Sequence, residues 1–308
     1  MEPAPPVISV ADLHKSYGDV HAVDGVSFEV GKGEVFGLLG PNGAGKTTTV
    51  EILEGINKSD SGKVSVLGLD PNLDATQLKE RIGVQLQTAA LYPNLTVVEL
   101  IDVFRSFYKH SLPTSQLISD YGLEERKSGL TKELSGGQRQ RLSVALAMVN
   151  DPELIFLDEP TTGLDPQARR SLWDRVAALK QEGRTVVMTT HYMEEAEQLC
   201  DRVAIMDHGR ILELGTVDAV VSGHFKERSV RFGTVPAFDD AHLAQLRAVT
   251  RVAHETDETV LYTTDVPATI GDLDRLADQV GAQNLDVAVK RPTLEDVFLE
   301  LTGRALRD

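Results

Sequence analysis

Gly40-Pro41-Asn42-Gly43-Ala44-Gly45-Lys46-Thr47-Thr48 stands between an apolar strand-like run, residues 34–39, and a helix-like one. A glycine-rich turn in that context is a phosphate-binding P-loop. The glycines let the backbone turn its N–H groups inward, and those amides cradle phosphates together with the positive end of the following helix. Lys46 then reaches the β- and γ-phosphates and the Thr47 hydroxyl can ligate magnesium, so residues 40–48 form the candidate nucleotide-binding set. The glycines at 40, 43 and 45 do not fit the GxGxxG spacing of a dinucleotide fold.

Working outward, Leu154-Ile155-Phe156-Leu157-Asp158-Glu159-Pro160 is an apolar strand that ends in two carboxylates. Ligands of parallel sheets collect at such strand ends. Asp158 is the candidate organiser of the magnesium shell, and Glu159 the candidate base that polarises an attacking water. Continuous apolar runs at 34–39, 153–157, 185–190 and 202–206 read as buried parallel strands separated by helices. The clearest helix is 166–182, with proline in its first turn, a stripe of Leu172, Val176 and Leu179, and Gly183 at its end. This is an α/β pattern.

Composition shifts near residues 221–224, which sets expected domains at 1–224 and 225–308. The second part has strand-like stretches at 229–232 and 259–264 and helix-like ones at 241–249 and 270–280, a small α+β domain. A closing helix over 293–301 has a Thr293 cap and an apolar stripe of Leu294, Val297, Phe298 and Leu301.

Composition excludes several classes. The formal net charge of −16 repels polyanions and no basic run offsets it, so no nucleic-acid partner is expected. The eight histidines and single cysteine show no metal-ligand spacing, and Cys200 reads as a small buried hydrophobe. No stretch approaches the ~20 apolar residues of a membrane span, and the start lacks a secretory pattern. A cytoplasmic protein is expected.

Leu134-Ser135-Gly136-Gly137-Gln138-Arg139-Gln140-Arg141 resembles the signature motif of ATP-binding cassette (ABC) proteins, and the resemblance extends over residues 7 to about 220. By residue type alone, Ser135 and the amides of Gly136 and Gly137 open a helix and make an anion site. Within the family pattern, Gln87 in Ile82-Gly83-Val84-Gln85-Leu86-Gln87 is similar to the glutamine loop, a catalytic and magnesium-contacting position, with Gln85 a nearby competitor. Gly163-Leu164-Asp165 resembles the D-loop, and His191 the switch histidine that bonds the γ-phosphate. Tyr17 resembles the aromatic that stacks on adenine. The resemblance implies a P-loop NTPase cassette of ABC type with a helical subdomain, using ATP and Mg2+. It also implies a second cassette, because ATP lies between the P-loop of one copy and residues 135–138 of another.

Residues 189–202 and the tail Arg291-Pro292-Thr293-Leu294-Glu295-Asp296-Val297-Phe298-Leu299-Glu300-Leu301-Thr302-Gly303 are similar to exporter ATPases of the daunorubicin-type antibiotic-resistance group. That implies a separate integral membrane permease docked near Gln87 and residues 88–97, with this chain peripheral on the cytoplasmic face. An importer cassette and a soluble non-transport ATPase are the alternatives. Only 88 residues separate Lys46 from Leu134, too few for the long coiled coil of the chromosome-type cassettes.

Overall fold

Every residue of Val35–Leu39 and Leu154–Asp158 is buried, and the computed structural model gives the reason for these unbroken apolar runs. In the central sheet, alternate residues serve two different cores. Ile155, Leu157, Val186 and Met188 face one core with the helical part of the molecule. Leu154, Phe156, Val187 and Phe36 face the other, against an antiparallel sheet. A strand covered on both faces has no solvent side on which to place polar residues.

The structure describes residues 5–85, 91–255, 257–282 and 285–303. The first compact unit runs to Val217 and the second begins at Asp218. The first contains, in order, β1 (Ile8–Tyr17), β2 (Val20–Val30), β3 (Val35–Leu39), α1 (Lys46–Leu53), β4 (Ser61–Val66), α2 (Ala75–Lys79), β5 (Ile82–Gln85), α3 (Val97–Arg105) and α4 (Thr114–Asp120). It continues with α5 (Gly136–Ala147), β6 (Leu154–Asp158), α6 (Pro166–Gln181), β7 (Thr185–Thr190), α7 (Met193–Leu199), β8 (Arg202–Asp207) and β9 (Arg210–Thr216). A six-stranded sheet has the order β5-β6-β7-β3-β8-β9, parallel except for β9, and a three-stranded antiparallel sheet has the order β2-β1-β4. Helices α3, α4 and α5 share one core through Leu100, Ile101, Leu117, Ile118 and Leu142, as a helical subdomain would.

The four expected strands match β3, β6, β7 and β8, and the expected helix over 166–182 matches α6, whose stripe of Leu172, Val176 and Leu179 is buried. Cys200 packs beside the first core, its Sγ 2.7 Å from the position a Cβ on Gly37 would take, and burial pushes the thiol pKa up.

The second unit holds most of α8 (Val217–His224), then β10 (Arg228–Gly233), α9 (Asp240–Leu243), β11 (Val249–Glu255), β12 (Glu258–Thr263), α10 (Val266–Val280), β13 (Ala288–Lys290) and α11 (Leu294–Thr302). Its antiparallel sheet has the order β11-β12-β10-β13. Val230, Phe232, Leu261 and Leu273 form a small core between this sheet and α10. The expected boundary at 224/225 is the carboxyl end of α8, whereas the compact units divide near its amino end. One expectation is corrected. Residues 241–249 are not one helix: α9 stops at Leu243, Ala248 takes a left-handed φ of 64° that no helix continues through, and Val249 already belongs to β11. At the end of the chain Thr293 caps α11 through a reciprocal capping box with Asp296, and Leu294, Val297 and Phe298 are buried while Leu301 is half-buried.

Candidate functional site

Strands β6, β7 and β3 are neighbours, so their carboxyl ends bring three separated segments together. Leu39 pairs with Thr190 and Asp158 with Thr189. Residues 40–48, 158–160 and 190–192 therefore leave the sheet side by side.

The loop after β3 is tightly enclosed. Gly45, the residue before α1, has φ 100°, and a Cβ there would lie 2.2 Å from the Ala22 carbonyl oxygen. Gly40, at φ 149°, is equally confined by the Met206 carbonyl oxygen, also 2.2 Å from a Cβ. Neither position admits a side chain. Along this loop a cavity of about 690 Å³ is lined by Gly43, Gly45, Lys46, Thr47, Thr48 and Glu159, with Asn42, Ala44, Tyr17 and His208 at its sides. Tyr17 is 49% exposed and accepts a hydrogen bond from Asn57 Nδ2 at 3.1 Å.

Lys46 is only 4% exposed. Its ammonium donates to the carbonyls of Gly40 at 2.8 Å and Pro41 at 3.1 Å and lies 3.5 Å from Oε1 of Glu159. Burial lowers its pKa, and the charges of Glu159 and Asp158 work against that fall. On the other side of Glu159, Oε2 is 3.3 Å from His191 Nδ1, close in distance though misaligned for a hydrogen bond. The Glu159 carboxylate thus sits between the lysine and the histidine. Its backbone has φ 45°, a conformation L-residues avoid, held by its N–H donating to the carbonyl of Thr189 at 3.2 Å and to the Thr189 hydroxyl at 2.9 Å.

The Thr47 hydroxyl lies 3.4 Å from both carboxylate oxygens of Asp158, which also accepts from the Thr189 hydroxyl. Burial raises the Asp158 pKa, with the Thr189 hydrogen bond opposing. A hydroxyl and a carboxylate this close are hard oxygen donors of the kind that would suit a magnesium ion. Among the described residues no three His, Cys, Asp or Glu side chains cluster as a metal site.

Ser135, Gly137 and Gln138 line a separate hollow of about 280 Å³ with Asp165 and Ala168. Ser135 caps α5: its hydroxyl accepts from the Gln138 N–H at 3.3 Å, and the Gln138 side chain accepts from the Ser135 N–H at 3.0 Å. Asp165 caps α6 by accepting from the amides of Gln167 at 3.0 Å and Ala168 at 2.9 Å. Gln87 lies outside the described residues. Its competitor Gln85 is buried at the end of β5.

Sequence reasoning missed Glu54 at the end of α1. It is 1% exposed, and neither carboxyl oxygen has a hydrogen-bond partner among the described residues. Burial, with Asp158 and Glu51 adding repulsion, pushes its pKa up to about 8. No motif marks it, because its neighbours come from β6 as well as its own helix. Val20, Ala22 and His208 at the cavity wall were also missed, since they arrive through β-pairing rather than spacing.

Fold and site define a P-loop nucleoside triphosphatase. Residues 23–162 match the ABC transporter family. The chain is 37% identical to the Nod factor export ATP-binding protein I of Ralstonia nicotianae, over 98% of this chain and 96% of that one. It is 35% identical to the linearmycin resistance ATP-binding protein LnrL of Bacillus subtilis, over 98% of this chain and all of that one. Among solved structures it resembles the ATP-binding subunit of an ABC transporter, with TM-score 0.64 and 29% identity over 70% of this chain and 92% of that one. It also resembles the dimeric cassette MJ0796 bound to ADP and Pi, with TM-score 0.62 and 26% identity over 68% of this chain and 98% of that one. The chain belongs to the ABC transporter family, as an ATP-binding, ATP-hydrolysing cassette.

Proposed function

We propose that this chain drives export of a drug, lipid or other hydrophobic substrate through a separate integral membrane permease, working at the cytoplasmic face with a second cassette, identical or different. The names of its export and resistance relatives support that direction. Among the described residues no helix is long and apolar enough to cross a membrane, so the pore is assigned to a partner.

The convergence of Lys46 and His191 on Glu159 carries the catalytic reading. ATP lies along residues 40–48 with its adenine against the exposed ring of Tyr17. Lys46 exchanges its contacts with Gly40, Pro41 and Glu159 for the β- and γ-phosphates. Thr47, Asp158 and, by the family pattern, Gln87 would hold Mg2+, which would supply neutralising charge to the phosphate oxygens. Glu159, released from Lys46, accepts a proton from the attacking water, and His191 hydrogen-bonds the γ-phosphate. Glu159's left-handed backbone, a strain of roughly 1–3 kcal/mol, is the kind of cost found at functional positions.

Residues 135–138 serve the partner's ATP. The cap accounts for Ser135, and apart from its chain neighbours and its own helix no described residue lies within 4 Å of where a Cβ on Gly136 would be. The space left open there suits a phosphate brought by a second cassette to the amino end of α5. Asp165, in the same hollow, belongs to that interface. Residues 1–224 form the catalytic domain and 225–308 an accessory one. The test is Ser135→Arg introduced into Glu159→Gln protein. Glu159→Gln alone forms Mg-ATP-dependent dimers by light scattering, and the added arginine abolishes them while ATP binding persists. Dimers that survive the arginine contradict the shared site.

A further inference from the structure

The sheet of the second unit has one face on its core and another that gathers charge. In register across its four strands stand Arg251, Tyr262, Ser229 and Lys290, each directly opposite the next. Arg231 projects from the same face two residues along β10. The alternation that sends Val230 and Phe232 into the core sends these residues the other way. They floor a cavity of about 570 Å³, which Arg291, Phe225 and Leu299 also line. That size is ordinary for a small-molecule site.

The cations of this floor are only partly paired. Arg231 has Glu258 at 3.5 Å, but Arg251, Lys290 and Arg291 have no carboxylate partner among the described residues. Arg251 instead lies 3.9 Å over the Tyr262 ring. Like charges gathered on one sheet face oppose folding, and this chain has a net charge of −16. Three carboxylates stand at the rim, Asp296 in the cap of α11, Glu300 at 3.5 Å from His224, and Glu227, and among the described residues none of them forms an ion pair with Arg251, Lys290 or Arg291. No contiguous basic run announces this patch in the sequence, because its members come from four strands and a loop.

We propose that this cavity binds a phosphate group carried on an apolar or aromatic body. Three unpaired cations ask for more than one negative charge, which a phosphomonoester supplies at neutral pH along with three acceptor oxygens. Phe225, Tyr262 and the 47%-exposed Leu299 provide the apolar wall. Either a phosphatidate-type lipid headgroup or a soluble phosphomonoester has this chemistry.

The test uses the full chain carrying Lys46→Ala, in magnesium-free buffer, so that phosphate binding at residues 40–48 does not contribute. Phenyl phosphate and micelle-free dihexanoyl phosphatidate are titrated by calorimetry. At least one binds saturably at one site per chain, and Arg251→Glu with Lys290→Glu weakens it about tenfold or more. Arg251→Gln with Lys290→Gln serves if charge reversal disturbs the fold by circular dichroism. A much tighter phosphatidate complex assigns a lipid source, and equal or weaker binding assigns a soluble one. No saturable binding of either probe, or binding unchanged in the folded variant, overturns the proposal.

Discussion

Glu54 in the catalytic unit is a buried carboxyl whose two oxygens have no hydrogen-bond partner among the described residues, an arrangement that disfavours its charged form. Its pKa rises from 4.5 to about 8. Between those values the folded chain holds a proton that the unfolded chain releases, so this residue makes stability fall as pH rises, with no further change above about 8. The linkage is on the order of 5 kcal/mol across that window. Glu54→Gln is predicted to flatten the decline of melting temperature between pH 5.5 and 8, and an unchanged slope contradicts the assignment. At Gly45 the constraint is steric. Gly45→Ala pushes a methyl into the Ala22 carbonyl at an unfavourable φ, and is predicted to destabilise by about 1–3 kcal/mol and weaken ATP binding, read by melting and calorimetry. The loop residues were legible because their chemistry is written in fixed spacing. Glu54 was not, because its cost arises only when β6 and α1 pack together.

At the scale of elements, legibility followed burial. Strands covered on both faces and the amphipathic α6 announce themselves through apolar pattern, and their expected limits agree with the structure to about a residue. The capping box at Thr293 was partly visible in Thr-Leu-Glu-Asp. What failed was 241–249, where apolar residues suited a helix until the left-handed Ala248 diverted the chain into β11. A non-glycine left-handed residue leaves no mark in the sequence. Asp165 tests whether cap and interface separate. Asp165→Ala loses two hydrogen bonds to the first turn of α6 and is predicted to cost about 1 kcal/mol in urea unfolding, whereas Asp165→Asn keeps most of that stability. Equal loss in both variants contradicts the capping account.

For the whole molecule, the two compact units predict that a chain ending at Val217 retains the nucleotide cavity, all of whose lining residues precede that point. It is predicted to bind Mg-ATP as the full chain does, by calorimetry, and folded protein without ATP binding contradicts the division. Family and catalytic unit were legible because motifs occur in order along one chain. The basic cavity was not, since β-pairing alone assembles it. The central claim is that Glu159, held between Lys46 and His191, is the base that turns bound ATP over. Its most direct measurement is phosphate release by Glu159→Gln protein, whose ATP affinity is measured in parallel. The prediction is ATP binding within a few-fold of wild type and turnover reduced by about 10²-fold or more, and hydrolysis near the wild-type rate would contradict it.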